Sequence, residues 1–213
     1  MMYLHTPRLS PCVKWLIGAN VVVFILQMMP SVGDALTGLC ALRPYEGFSR
    51  FQLWRLATYM FLHAPNELFH ILFNMLTLWW FGAELEEIWG RRKFLAFYFV
   101  CGVGAGLFSL LYFFVNPYVI IIGASGAVLG LLTAYAVYYP HRQVMLFGIF
   151  PMRMRTLVIG YAVISVLFSI RGGGNVAHLT HLGGIAVAWV YLKAGPAARV
   201  GFNKWMFRMK RRG

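Results

Sequence analysis

Charge is what this chain has least of. Only 12% of its 213 residues are charged, where a soluble domain of that size carries about a quarter. That scarcity excludes an ordinary water-soluble domain and places the chain in the membrane class. Acids are rarer still: the six are Asp34, Glu46, Glu67, Glu84, Glu86 and Glu87. Cysteine is nearly absent too. Cys12, Cys40 and Cys101 are odd in number, widely separated and without metal-ligand spacing, so each reads as a free thiol. There is no His-Glu-x-x-His, which argues against an intramembrane zinc protease. A cleavable leader is missing as well, because the first apolar run, Val13 to Met29, lacks a small-residue cleavage pattern and reads as a retained anchor. What abounds is apolar surface, at 60% hydrophobic and 17% aromatic residues. The formal charge of +13 does not indicate nucleic acid as a partner, because the basic residues collect in loops between apolar runs instead of forming an aromatic-interleaved face.

A helix needs about 20 apolar residues to cross the hydrocarbon. The runs at about 13–30, 67–88, 93–115, 125–139, 154–170 and 177–194, each bounded by proline, glycine or charge, predict six spans. The intervening loop at about 31–66, which carries Trp54 and Arg55, is too long and amphipathic for a plain connector and is expected to lie partly in the membrane face. Arg8, Lys14, Arg91, Arg92, Lys93, Arg142, Arg153, Arg155 and the basic tail fall on one side, and Arg43, Arg50, Arg55 and Arg171 on the other. Lysine and arginine favour the cytoplasm, so both termini are expected inside. The tail, 195–213, with Trp205 and Phe207 among its basic residues, reads as a cytoplasmic anchor on anionic headgroups. The fold class is all-α: a polytopic six-helix membrane bundle forming a single domain over 1–213.

In that topology spans two, four and six run in the same direction. His70, Ser125 and His181 each occupy the first turns of one of them, so they share a depth near the outer face. The fourth span is short, about 22 Å against roughly 30 Å of hydrocarbon, which leaves room for water above Ser125. The Asn116-Pro117 pair is expected to start a loop that dips toward it. Gly123 and Gly126 would let backbone approach the serine closely, and the helix N-terminus would stabilise an oxyanion there. Serine needs a base. His181 is favoured, with His178 one turn away as its rival, because Gly184 and Ala188 could pack closely on Gly126 and Gly130 of span four. No acid lies in this region to orient the histidine, which points to a Ser–His dyad instead of a triad. His70 and Asn74 share a helix face at i and i+4 and can both donate to an oxyanion beside the Ser125 amide. Taken singly, a serine among membrane glycines is usually a packing residue, and His178 reads as structural. His63 and His141 read as solvated loop residues, Glu84, Glu86 and Glu87 next to Arg91 and Arg92 as a capping and ion-pair network at the inner face, and Trp79-Trp80-Phe81 as packing.

The ordered set resembles the rhomboid intramembrane serine proteases. His70-Ile-Leu-Phe-Asn74 is similar to the family's oxyanion motif, Gly123-Ala-Ser125-Gly126 to its nucleophile motif, and His181 with Gly184 to its histidine motif. Trp54-Arg55, Glu86 and Gly90 also match its pattern. The resemblance implies an endopeptidase that cuts transmembrane segments of other membrane proteins near the outer face. Entry would be lateral, past span five, with no metal or nucleotide cofactor. It implies a multi-pass protein of the bilayer, and the lack of a long soluble domain suggests a bacterial cytoplasmic (inner) membrane form. Leu129 departs from the family, many of whose members carry an aromatic one turn after the serine, stacked on the histidine. Packing alone, or a phenylalanine from a neighbouring helix, would then hold the dyad. Two other readings compete. A catalytically inactive rhomboid-like helix binder is disfavoured by intact Ser125 and His181. A small-solute transporter is disfavoured by the absence of an inverted repeat.

Overall fold

The computed structural model describes residues 8–146, 150–170 and 176–194. The basic tail and Arg171 lie outside the described residues. Helices follow one another as α1 (Pro11–Gln27), α2 (Pro30–Cys40), α3 (Pro44–Ser49), α4 (Arg55–Thr58), α5 (Leu68–Thr77), α6 (Ala83–Trp89), α7 (Arg91–Leu110), α8 (Ser125–Tyr138), α9 (Met154–Ile170) and α10 (Val176–Ala194). Proline opens α1, α2 and α3, where its missing N–H costs nothing and its fixed φ suits the first helical residue. A π-helical turn at Leu78–Gly82 joins α5 to α6, so the two form one rod from Leu68 to Trp89. Among the described residues this rod and α7 have the length and apolarity of a spanning helix, while Pro11–Gln27, Ser125–Tyr138 and Met154–Leu167 are shorter apolar helices.

The apolar residues are arranged as lipid requires. Val22 and Ile25 on α1, Phe73 on α5, Leu107 on α7, Val163 and Leu167 on α9, and Val190 on α10 all face outward. By contrast α8 is enclosed: residues 126–136 are buried except Leu132, which is half-buried. It packs between α7 and α10, which also pack on each other. Small residues make this possible. A Cβ on Gly184 of α10 would stand 2.1 Å from the Gly126 carbonyl oxygen, and one on Gly130 would stand 2.6 Å from the Cys101 Cβ of α7.

The first loop is folded, which periodicity did not indicate. Arg55, 4% exposed, closes the C-terminal end of α2, its guanidinium donating to the carbonyls of Ala41 (2.6 Å) and Gly38 (2.7 Å) and to Gln52 Oε1 (2.6 Å). Thr58 Oγ1 takes the Cys40 carbonyl at 2.8 Å, and Trp54 Nε1 that of Leu39 at 3.1 Å. These are the carbonyls a helix leaves unpaired at its end, and a cation is favoured there. The segment before Ser125 is tied to this loop by exchanged backbone bonds between Leu42 and Ile121 and by Tyr45 N–H to the Pro117 carbonyl.

Three expectations are corrected. The capping expected of the acids is present, but among the described residues their ion pairing is not with Arg91 or Arg92. Glu86 accepts from Ser10 Oγ and from the amides of Cys12 and Val13, capping α1, and Glu84 pairs with Arg142 at 2.9 Å and Tyr135 at 2.8 Å. These acids go to whichever helix end or cation the tertiary packing brings, not to the nearest bases in sequence. His63 is not solvated but 0% exposed. Its loop folds back onto the end of α1, where Gln27 Oε1 accepts the His63 amide at 2.9 Å. The third span closes early, α7 ending at Leu110 and a 3-10 turn running to Phe114. Between α8 and α9 lies an unforeseen antiparallel pair, β1 (Gln143–Leu146) with β2 (Phe150–Arg153).

Candidate active site

Ser125 is the first residue of α8, so its amide and those of Gly126 and Ala127 have no acceptor within the helix and stand at its positive end. Gly123, two residues earlier, has φ +119°, a conformation that side chains rarely adopt. Its amide donates to the Tyr59 carbonyl at 3.0 Å, which anchors the approach to the serine on the first loop. A Cβ on Gly123 would stand 2.8 Å from His70 Nε2 and 3.8 Å from Ser125 Oγ. The bare glycine therefore lets the His70 ring close over the same spot the serine faces.

His181 Nε2 lies 2.7 Å from Ser125 Oγ. It reaches α8 because Gly184, three residues on, rests directly on the Gly126 backbone. The rival His178 is packed edge-on to His181, ring centroids 6.1 Å apart, and it is the His181 ring that meets the serine. Just before it, Thr180 is hydrogen-bonded to Ser109 Oγ, which also donates to the Ala105 carbonyl at 2.8 Å, fixing the start of α10 to α7. Asn74 is buried, with Nδ2 donating to the His70 carbonyl at 2.8 Å. That bond occupies one of its two amide hydrogens.

The second nitrogen of His181 has a partner the sequence reading did not assign: Tyr161 Oη of α9 lies 2.6 Å from Nδ1, the rings tilted by 56° with centroids 5.6 Å apart. Leu129, buried on α8, carries no such group. A signal was available. Tyr161, Ser165 and Ser169 recur at i, i+4 and i+8 in an otherwise apolar helix, a polar stripe that lipid would not favour. Among the described residues no group of three or more His, Cys, Asp or Glu side chains could hold a metal ion.

An enclosed short helix with a serine at its N-terminus, met by a histidine from a neighbour, inside a bundle with an apolar exterior, defines an integral membrane protein built around a polar site. The rhomboid domain model matches residues 50–195, and the chain belongs to the rhomboid family. It is 30% identical over 187 residues to Rhomboid protein 1, mitochondrial, of Saccharomyces cerevisiae, covering 83% of this chain and 51% of that protein. It is 30% identical over 128 residues to Rhomboid-like protease 3 of Toxoplasma gondii, covering 58% and 47%. With Rhomboid protease GlpG of Yersinia pestis it shares 28% over 172 residues, covering 78% and 56%. The chain thus spans about half the length of these relatives. Two of the three are named as proteases.

Proposed function

We propose that the chain is an intramembrane serine endopeptidase acting on transmembrane segments of other membrane proteins through a Ser125–His181 dyad. The observation that carries this reading is the 2.7 Å approach of His181 Nε2 to Ser125 Oγ at the free end of α8. In the reaction His181 Nε2 takes the Ser125 proton as the oxygen attacks the peptide carbonyl. The tetrahedral oxyanion is held by the Ser125 amide with His70 and Asn74. His181 then gives its proton to the departing amine as the carbon–nitrogen bond breaks, leaving an acyl-serine. A water molecule, deprotonated by His181, attacks the ester and regenerates the serine.

The polypeptide forms one domain with six spans: α1, the α5–α6 rod, α7, α8, α9 and α10. Both termini are cytoplasmic and the site opens toward the outer face. Substrate enters laterally past α9 and must unwind locally, so glycine or proline near the cut and a small residue before it are favoured. The bacterial cytoplasmic membrane is the proposed location.

Cleavage of a single-span model substrate by purified protein tests the reading. Wild type and His178→Ala should cut, while Ser125→Ala and His181→Ala should lose essentially all activity yet stay folded. Activity retained in Ser125→Ala would sink the scheme. Activity lost in His178→Ala but kept in His181→Ala would move the base. A folded wild type that neither cleaves nor reacts with a fluorophosphonate would instead indicate an inactive helix binder.

A further inference from the structure

The scheme above uses one nitrogen of His181 and leaves the other unexplained. For Nε2 to accept the serine proton, the ring's own proton must reside on Nδ1. A buried N–H needs an acceptor, and the partner of His181 Nδ1 among the described residues is not a carboxylate. The atom that faces Nδ1 is Tyr161 Oη, at 2.6 Å. Its contact is ambiguous taken alone, because a phenol can donate as well as accept. Were it to donate, Nε2 would carry the hydrogen toward Ser125 and the dyad would be disarmed.

The dyad decides between the two. With Nε2 2.7 Å from the Ser125 hydroxyl as the acceptor of its proton, Nδ1 carries the ring hydrogen, and the oxygen that meets it is that of Tyr161. Resting on the protease reading above, we propose that Tyr161 is a positioning residue whose oxygen accepts from His181 and holds it in the tautomer protonated on Nδ1, in the place an orienting carboxylate would take. The chain Ser125–His181–Tyr161 then links α8, α10 and α9. It also accounts for Leu129: the aromatic that steadies the histidine comes from α9, and it does so through its oxygen, not by stacking its face.

Two measurements test this. In protein carrying 15N-labelled histidine, with the His181 signal assigned by its loss in His181→Gln, neutral wild type should show the Nδ1–H tautomer. Tyr161→Phe, which removes one oxygen, should shift it toward a mixture. The same variant should lower kcat on a model substrate roughly 10- to 100-fold with KM within about twofold, the pattern of a lost transition-state interaction. It should slow fluorophosphonate labelling of Ser125 in proportion. An Nε2–H tautomer in wild type would overturn the proposal without recourse to any variant at Tyr161. So would wild-type kcat and labelling in folded Tyr161→Phe. Failure of wild type to cleave or label would refute the protease reading itself, and the tautomer would still report separately on the Tyr161 contact.

Discussion

At His63 the chain encloses a titratable ring completely, edge-on to His70 with centroids 5.0 Å apart. Neither of its nitrogens makes a well-formed hydrogen bond among the described residues. Burial, reinforced by the facing His70 ring, outweighs the weak pull of the Phe61 carbonyl and brings the His63 pKa down from 6.5 to about 4. The unfolded chain therefore takes up a proton below pH 6.5 that the fold refuses until about pH 4, so stability falls as pH drops through that window. The loss is bounded at about 3 kcal/mol by the size of the shift. Denaturant midpoints of micellar protein should decline from pH 7 to pH 4.5, and the decline should be shallower in His63→Gln. Identical slopes would show that other groups carry the acid sensitivity. The local sequence gives no hint of this burial, since Pro65, Asn66 and Glu67 beside His63 read as solvated loop. Ser125, His181 and His70 were legible as candidates because polar groups stand out in an apolar background, whereas Tyr161 taken singly passes for packing and is marked only by the polar stripe it shares with Ser165 and Ser169.

Among the elements, α8 and α10 meet where both lack side chains. Gly184→Ala would drive a methyl into the Gly126 carbonyl, 2.1 Å from the ideal Cβ position, and neither backbone can step aside without opening the Ser125–His181 approach. A loss of about 1–3 kcal/mol in stability is expected from such overpacking, together with a larger proportional drop in fluorophosphonate labelling. Gly18→Ala on α1, where nothing lies within 4 Å, is the control and should leave labelling unchanged. Equal labelling in the two variants would mean that this contact does not set the dyad. Helix limits in the apolar runs were readable from composition: α8 begins at Ser125 and α9 covers 154–170, as the runs predict. The small helices α2 to α4 and the β1–β2 pair were not. Their form depends on partners distant in sequence, such as Arg55 on the α2 carbonyls, and periodicity carries no record of those.

Over the whole molecule, the proposed direction in the membrane rests on charge. In a Cys40→Ala background, where the remaining Cys12 and Cys101 are buried, a cysteine at exposed Ser49 should react with an impermeant maleimide added outside intact cells. One at exposed His141 should react only after lysis. The reverse pattern would invert the orientation and place the site at the inner face. One further property of the molecule follows from Glu86. The first turn of α1 has no side-chain cap of its own, and the carboxylate that receives its amides stands 74 residues downstream of Cys12. At synthesis rates of about 5–20 residues per second, roughly 4 to 15 seconds pass between the two leaving the ribosome. For that interval α1 is an unfinished helix, its leading amides left to water or lipid headgroups. The order of assembly is therefore not the order of the chain: α1 reaches its final form only when α6 arrives, and the two are partners in time before they are partners in the folded bundle.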